Sequence, residues 1–351
     1  MNYLSAEKLG KSFSEKILFE DLTFGILKGQ RLGLIASNGQ GKSTLLNILV
    51  GRESPDSGVI SIRKDIKVTL LDQNPAFDLQ ENAMKFLIDE STELGRAVME
   101  YEACAHAEDP DMEQIARASE KMDLLNAWEY EARVKKIMGK LGLQFNERSI
   151  SAYSGGERRR LALAKALIEK VDLLILDEPT NHLDIEMISW LEKYLLQESR
   201  TLLIVSHDRY FLDVVCDGYL ELEAGKMYTY QGSYSNYLEL KQQRMDQQKT
   251  EIAKSKNLLR KELDWMRRQP KARGTKSKSR IADFYTLADK AGQRVKEESI
   301  QLGIKSERLG NKIIELHKVS RSFADRQLIK QFSYQFLKGE RVGIIGKNGC
   351  G

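Results

Sequence analysis

The chain has 351 residues, 41% of them hydrophobic and 30% charged, with a formal net charge of +4, which at about 150 residues per domain describes roughly two globular domains rather than a fibrous or disordered protein. No apolar run approaches the ~18 residues of a membrane span, and Met1 to Gly10 lacks the apolar core of a signal peptide, so a membrane-embedded or secreted protein is disfavoured and a cytoplasmic one expected. Cys104, Cys216 and Cys350 lie far apart without a CxxC spacing, which argues against a disulfide framework or a cysteine-ligated zinc or iron–sulfur cluster.

The first predicted strand, Arg31 to Ile35, runs into Ala36-Ser-Asn38-Gly39-Gln-Gly41-Lys42-Ser43-Thr44 and then the apolar helix LLNILV. This is a phosphate-binding loop in its required context, strand before and helix after. The glycines let backbone N–H groups curl around phosphates, the helix N-terminus adds its positive end, Lys42 meets the β/γ oxygens and Ser43 ligates Mg2+. The first glycine of the pattern is replaced by Ala36; a left-handed backbone there would cost about 1–2 kcal/mol.

A second strand is predicted over Ile66 to Leu71, and residues from about 80 to 150 read as polar helices, an inserted α-helical subdomain. Tyr153-Ser154-Gly155-Gly156-Glu157 then opens the helix LALAKALIEK, where backbone amides at a helix start bind an anion. The apolar strand Asp172 to Leu176 ends in Asp177 and Glu178, at the strand end where open α/β sheets bind ligands. Asp177 is expected to hold Mg2+ through water, and Glu178 to orient or deprotonate the water that attacks a γ-phosphate. A further buried strand, Thr201 to Val205, precedes Ser206-His207-Asp208. Strands of this kind alternating with helices predict a parallel α/β sheet.

Beyond residue 237 the pattern turns helical. Leu238, Met245, Ile252, Leu259 and Met266 recur every seven residues, as do Ile281, Ala288, Val295 and Leu302, which predicts an α-helical hairpin linker over 238–312. The break between them carries Arg267, Arg268, Lys271, Arg273, Lys276, Lys278 and Arg280 with no acidic residue. From Lys241 to Gly310 there are 19 Lys+Arg against 9 Asp+Glu, a local charge of +10 that leaves −6 for the rest of the chain. Such an excess is the footprint of a polyanion partner, and these seven cations are the candidate nucleic-acid contacts.

The chain also repeats itself. Leu4 to Gly41 lies over Ile314 to Gly351 at an ungapped offset of 310, with 13 of 38 positions identical. Residues 1–237 are therefore expected to form one complete α/β domain and 313–351 the truncated start of a second, making the chain an N-terminal fragment of a tandem protein.

The phosphate loop, Gln73 after a strand, SGGE, LDEP, Asn181-His-Leu-Asp184 and Ser206-His207-Asp208 occur in an order that resembles the ATP-binding cassette domain, over the whole first copy. The resemblance implies a P-loop cassette binding ATP and Mg2+, in which Gln73 contacts the metal and the attacking water, Asp184 couples two sites and His207 contacts the γ-phosphate. It also puts Phe13 in the place of the aromatic that stacks on adenine. Tyr153 stands where the pattern has Leu. Two cassettes, a charged helical linker of about 70 residues and no membrane domain are similar to the ABC-F translation ATPases. Trp265 to Arg273 looks most like the Uup branch of that family. The resemblance implies composite ATP sites completed by a second cassette, with Ser154, Gly155 and Gly156 serving the other cassette's nucleotide. It further implies a ribosome partner met through tRNA and rRNA, or, in the alternative, branched or single-stranded DNA.

Overall fold

The computed structural model describes residues 1–14, 16–107, 110–144, 148–197, 200–267, 278–292, 312–323 and 326–346. The chain divides into two contact units, one of Met1–Tyr234 with Arg321–Ile329 and Val342–Gly351, the other of Ser235–Ser320 with Lys330–Arg341.

The first unit opens with β1 (Asn2–Phe13), β2 (Lys16–Leu27), β3 (Arg31–Ala36), α1 (Lys42–Leu49), β4 (Ser57–Ile62) and β5 (Val68–Leu71). Four helices follow, α2 (Ala83–Leu87), α3 (Glu93–Ala105), α4 (Met112–Leu124) and α5 (Trp128–Lys140). The remainder is α6 (Gly155–Ile168), β6 (Leu173–Asp177), α7 (Ile185–Gln197), β7 (Thr201–Val205), α8 (Arg209–Val215), β8 (Gly218–Glu223) and β9 (Lys226–Gln231). Six strands form one sheet in the order β5-β6-β7-β3-β8-β9, parallel except for the antiparallel edge β9. A second, antiparallel sheet has the order β2-β1-β4.

β6 and β7 are buried at every residue, which is why Leu173–Leu176 and Leu202–Val205 are apolar runs, with Asp177 and Thr201 the polar residues at their ends. Period-two alternation divides them: Leu173, Ile175, Leu203 and Val205 join a core with Leu45, Leu46 and Leu49 of α1 and Leu4, Phe19 and Ile26 of the antiparallel sheet. Helix α1 is thus sandwiched between two sheets, and the loop that precedes it is fixed from both sides. The strands predicted at Ile66–Leu71 and Asp172–Leu176 begin later than expected, at Val68 and Leu173. Lys67 and Asp172 leave the ladder to clamp one another: Lys67 N–H donates to Asp172 Oδ2 at 3.0 Å and Asp172 N–H to the Lys67 carbonyl at 2.9 Å.

The inserted helices are set by their caps, since Asn82, Thr92 and Asp111 each accept a backbone N–H at the start of α2, α3 and α4. Their own core holds Ala97, Val98, Met122, Val134, Ile137 and Met138. Within it Glu102 is buried, and burial pushes its carboxyl pKa up even though Lys135 Nζ lies 2.8 Å from Oε1.

After β9, α9 (Tyr234–Arg267) runs for 34 residues, about 50 Å at the α-helical rise. Met245, Ile252 and Leu259 of the seven-residue seam fall among its half-buried positions, whereas Leu238 is exposed. Helix α10 (Lys278–Gly292) is followed by β10 (Lys312–Phe323) and β11 (Arg326–Leu337), a two-stranded sheet. Of the candidate nucleic-acid contacts, Arg267 ends α9, Lys278 and Arg280 open α10, and Arg268, Lys271, Arg273 and Lys276 lie outside the described residues. Val295 and Leu302 of the second seam also lie outside them.

Candidate functional site

The phosphate loop leaves β3 and turns through two left-handed residues, Gly39 (φ 77°) and Gly41 (φ 91°). Gly41 caps α1, and a Cβ there would come 3.1 Å from Leu18 Cδ1, so both backbone and space demand glycine. Ala36, by contrast, is extended strand in register with Leu222 and has no positive φ; the missing first glycine costs nothing here. Lys42 folds its ammonium back along the loop, donating to the Ala36 carbonyl at 2.8 Å and to Asn38 Oδ1 at 3.4 Å. Burial lowers its pKa, while the carboxylates of Glu178 and Asp177 pull the other way. Ser43 is exposed and Thr44 half-buried in the same first turn.

The carboxylates come from the end of β6. Asp177 is buried, and that burial, reinforced by Glu178 and opposed by Lys42, raises its pKa to about 6. Glu178 is left-handed at φ 53°, a conformation that costs a non-glycine residue on the order of 1–3 kcal/mol. Its surroundings hold it there: its N–H donates to the Val205 carbonyl at 2.8 Å, its Oε2 accepts the His207 N–H at 3.3 Å, and its Oε1 lies 3.5 Å from His207 Nε2. Adjacent strands β6 and β7 therefore deliver Glu178 and His207 as a contacting pair. Gln73, Asp177 and Glu178 line one cavity, together with Asp72, Arg159 and Asn181.

The other predicted residues do not line that cavity. Phe13 ends β1 half-exposed, with Lys11 Nζ 5.7 Å from its ring centroid. Ser154 caps α6 in a reciprocal box with Glu157, Gly155 has open space beside it, and a Cβ on Gly156 would lie 3.8 Å from His182. Asp184 Oδ1 accepts the Met187 N–H at 2.9 Å at the start of α7.

One tie was not visible in the sequence. Arg159 of α6 places Nη1 2.6 Å from His182 Nε2 and donates from Nη2 to Asn74 Oδ1 at 2.6 Å. A single guanidinium thus links the helix after SGGE, the segment after Gln73, and the turn before Asp184. The run of arginines after SGGE was the only available signal, and nothing in it distinguishes Arg159 from its neighbours.

Ser43, Gln73 and Asp177 offer hard oxygen donors with one carboxylate, a set suited to Mg2+ only if phosphate and water complete the shell. Among the described residues no cluster of three or more His, Cys, Asp or Glu is placed to hold a metal by itself. The donors fit an ion that arrives with a polyphosphate.

An ABC transporter family profile matches residues 19–181, the segment that holds the loop, the SGGE helix and the carboxylates. These residues form an ABC transporter ATP-binding domain. A second ABC transporter profile matches residues 220–302. A solved ATP-binding subunit of an ABC transporter superposes on the chain with a TM-score of 0.50 at 20% identity, covering 65% of this chain and 90% of its own, which establishes the P-loop ABC ATPase fold. By sequence the chain is 40% identical over 357 residues to the uncharacterized ABC transporter ATP-binding protein YfmR of Bacillus subtilis, covering all of this chain and 57% of that protein. It is 36% identical over 353 residues to the energy-dependent translational throttle protein EttA of Mycobacterium tuberculosis, covering 98% of this chain and 63% of the relative. The chain spans about three-fifths of the length of these relatives. No helix among the described residues is long and apolar enough to cross a membrane.

Proposed function

We propose that this chain is the nucleotide-binding part of a cytoplasmic ABC-F ATPase that hydrolyses ATP to ADP and phosphate and uses the nucleotide to control its hold on the ribosome. The observation that carries the first half is that the glycine-turned loop with Lys42 follows β3 while the buried carboxylates Asp177 and Glu178 come from the end of β6, at the carboxyl ends of two parallel strands of one sheet. In this reading Asn38, Gly39, Gly41, Lys42, Ser43 and Thr44 bind the phosphates, and Ser43, Gln73 and Asp177 hold the metal, which when bound withdraws charge from the phosphate oxygens. Glu178, fixed by the His207 N–H, orients the attacking water or takes its proton, and His207 contacts the terminal phosphate. Phe13 stacks on the base. Ser154, Gly155, Gly156 and Asp184 serve a nucleotide shared with a second cassette.

Translation as the destination is supported by the 36% likeness to a translational throttle protein across 98% of this chain. The basic stretch around Arg267–Arg280 is then an RNA contact, since lysine and arginine that neutralise phosphates release counterions. The Uup-like wording of Trp265 to Arg273 makes DNA the competing polyanion. In the complete protein, Glu178→Gln should trap the ATP state and co-sediment with ribosomes in ATP, while Lys42→Ala should not bind nucleotide. Retention on branched DNA with no ribosome association would move the reading to DNA, and a complete protein that binds no adenine nucleotide would end it.

A further inference from the structure

The phosphate loop is touched by a cation that its motif does not contain. Lys16 is the first residue of β2, exposed, and its ammonium donates to the Gly39 carbonyl at 3.1 Å. A Cβ built on Gly39 would find the same nitrogen 3.9 Å away. The strand beneath it is firmly set against the loop: Leu18 Cδ1 and Phe19 Cε1 lie 3.1 and 3.4 Å from where a Gly41 Cβ would be, and Glu20 N–H donates to the Gly225 carbonyl at 3.3 Å. Lys16 is therefore delivered to the loop by its backbone, not by a chance extension of its side chain.

Both lysines at this loop rest on loop carbonyls, Lys42 on Ala36 and Lys16 on Gly39. A neutral carbonyl is a weak partner for an ammonium whose ordering costs up to about 2 kcal/mol of rotamer freedom, whereas a bond to an ionised oxygen is roughly twice as strong. An arriving polyphosphate is the stronger partner. The internal repeat points the same way: the residue 310 positions on from Lys16 is Arg326, so a cation recurs there although only 13 of 38 aligned positions are identical.

We propose that Lys16 is a second phosphate-binding cation of this site, exchanging the Gly39 carbonyl for an oxygen of the nucleotide's polyphosphate and thereby favouring nucleotides with more phosphates. The proposal rests on the reading of the loop as a nucleotide site. Isothermal titration of the chain with Mg–ATP, ADP and AMP, at low and moderate salt, tests it on Lys16→Met, Lys16→Arg and Lys42→Ala. Lys16→Met should weaken ATP by about tenfold at low salt, weaken AMP far less, and flatten the salt dependence, with Lys16→Arg restoring most of each. The melting temperature of the nucleotide-free Lys16→Met protein should match the parent. If Lys16→Met binds ATP, ADP and AMP as the parent does while Lys42→Ala binds none, the proposal is wrong and the nucleotide site stands. Equal weakening of all three nucleotides with a lowered melting temperature would also overturn it, by making Lys16 a prop for the loop. A parent chain that binds no nucleotide would remove the site itself, and the proposal with it.

Discussion

Lys8 and Lys318 stand 310 residues apart, and both adopt a left-handed backbone, with φ of 49° and 45°. So do Asp21 and Gln331, at 54° and 46°. Lys8 N–H donates to Thr23 Oγ1 at 3.1 Å, and Lys318 N–H to Ser333 Oγ at 2.8 Å. Leu27 N–H donates to Gln30 Oε1 at 2.8 Å, and Leu337 N–H to Glu340 Oε2 at 3.0 Å. The hairpins β1–β2 and β10–β11 thus share these left-handed turns and side-chain ties from sequences that are mostly different. Their burial has nothing in common. Leu9, Phe19 and Leu22 are at most 1% exposed, while their counterparts Val319, Ile329 and Phe332 are 37%, 39% and 46% exposed. The first hairpin has β4 on its edge and α1 beneath it; the second is a sheet of two strands. Bulges and turns belong to the local chain, and burial belongs to the partners.

The largest test of that division is a matched pair of truncations. Phe19→Ala should lower the cassette's unfolding free energy by about 3–5 kcal/mol, the range for emptying a fully buried aromatic site, and Ile329→Ala should change it by no more than about 0.5 kcal/mol. Urea denaturation followed by tryptophan fluorescence reads both. Comparable losses at the two positions would mean that the second hairpin is buried against a partner, and the contrast would disappear.

The same dependence on neighbours reaches the site. Arg31–Ala36 is a strand because β7 and β8 flank it, whereas residues 341–346, with a similar sequence, form no strand. Asp177 owes its raised pKa to burial in that completed sheet. A carboxyl held at about 6 in the folded chain, against an ordinary 3.8, binds its proton more tightly folded than unfolded. Its protonation therefore favours the folded state below about pH 4–6, and this contribution is lost as pH rises through 6. With divalent ions chelated, Asp177→Asn should be more stable than the parent at pH 7.5 by on the order of 1–2 kcal/mol, after allowance for solvent screening. The two stability curves should converge near pH 4. Parallel curves across the range would show that the carboxylate is not strained by its surroundings.

What could be read from the chain follows from the same physics. β3, β6 and β7 declare themselves because both faces of their central residues are covered, so those residues are apolar or glycine and the polar ones, Arg31, Asp177 and Thr201, stand at strand ends. β1, β2 and β9 mix covered with open positions, β4 is largely exposed, β8 is buried but carries Glu221 within it, and β1 is further interrupted where its register slips around Lys8, which breaks the period that would reveal it. At the site, the residue types of the loop and of Asp177 and Glu178 carry their chemistry in the sequence, because that chemistry needs those atoms. The left-handed turn at Glu178, the Arg159 tie between His182 and Asn74, and the reach of Lys16 to Gly39 depend on which elements fold beside which, and no spacing announces them.

The smallest expected effect bears on the half of the comparison that should be equal. Thr23 and Ser333 each offer a hydroxyl to the amide of a left-handed lysine across the strand pair, and the two residues share little beyond that hydroxyl. If the bulge is a local device, Thr23→Ala and Ser333→Ala should each remove one exposed hydrogen bond worth about 0.5–1 kcal/mol, speeding exchange of the Lys8 and Lys318 amides by roughly two- to fivefold. Exchange followed by NMR separates this from global unfolding, which would accelerate the whole sheet together. Core contacts around Leu9 and Leu22 hold the first bulge as well, so the Lys8 amide should lose the smaller part of its protection. A bulge that lost its left-handed turn in the second hairpin alone would show that tertiary packing, and not the hydroxyl, selects that conformation in the first.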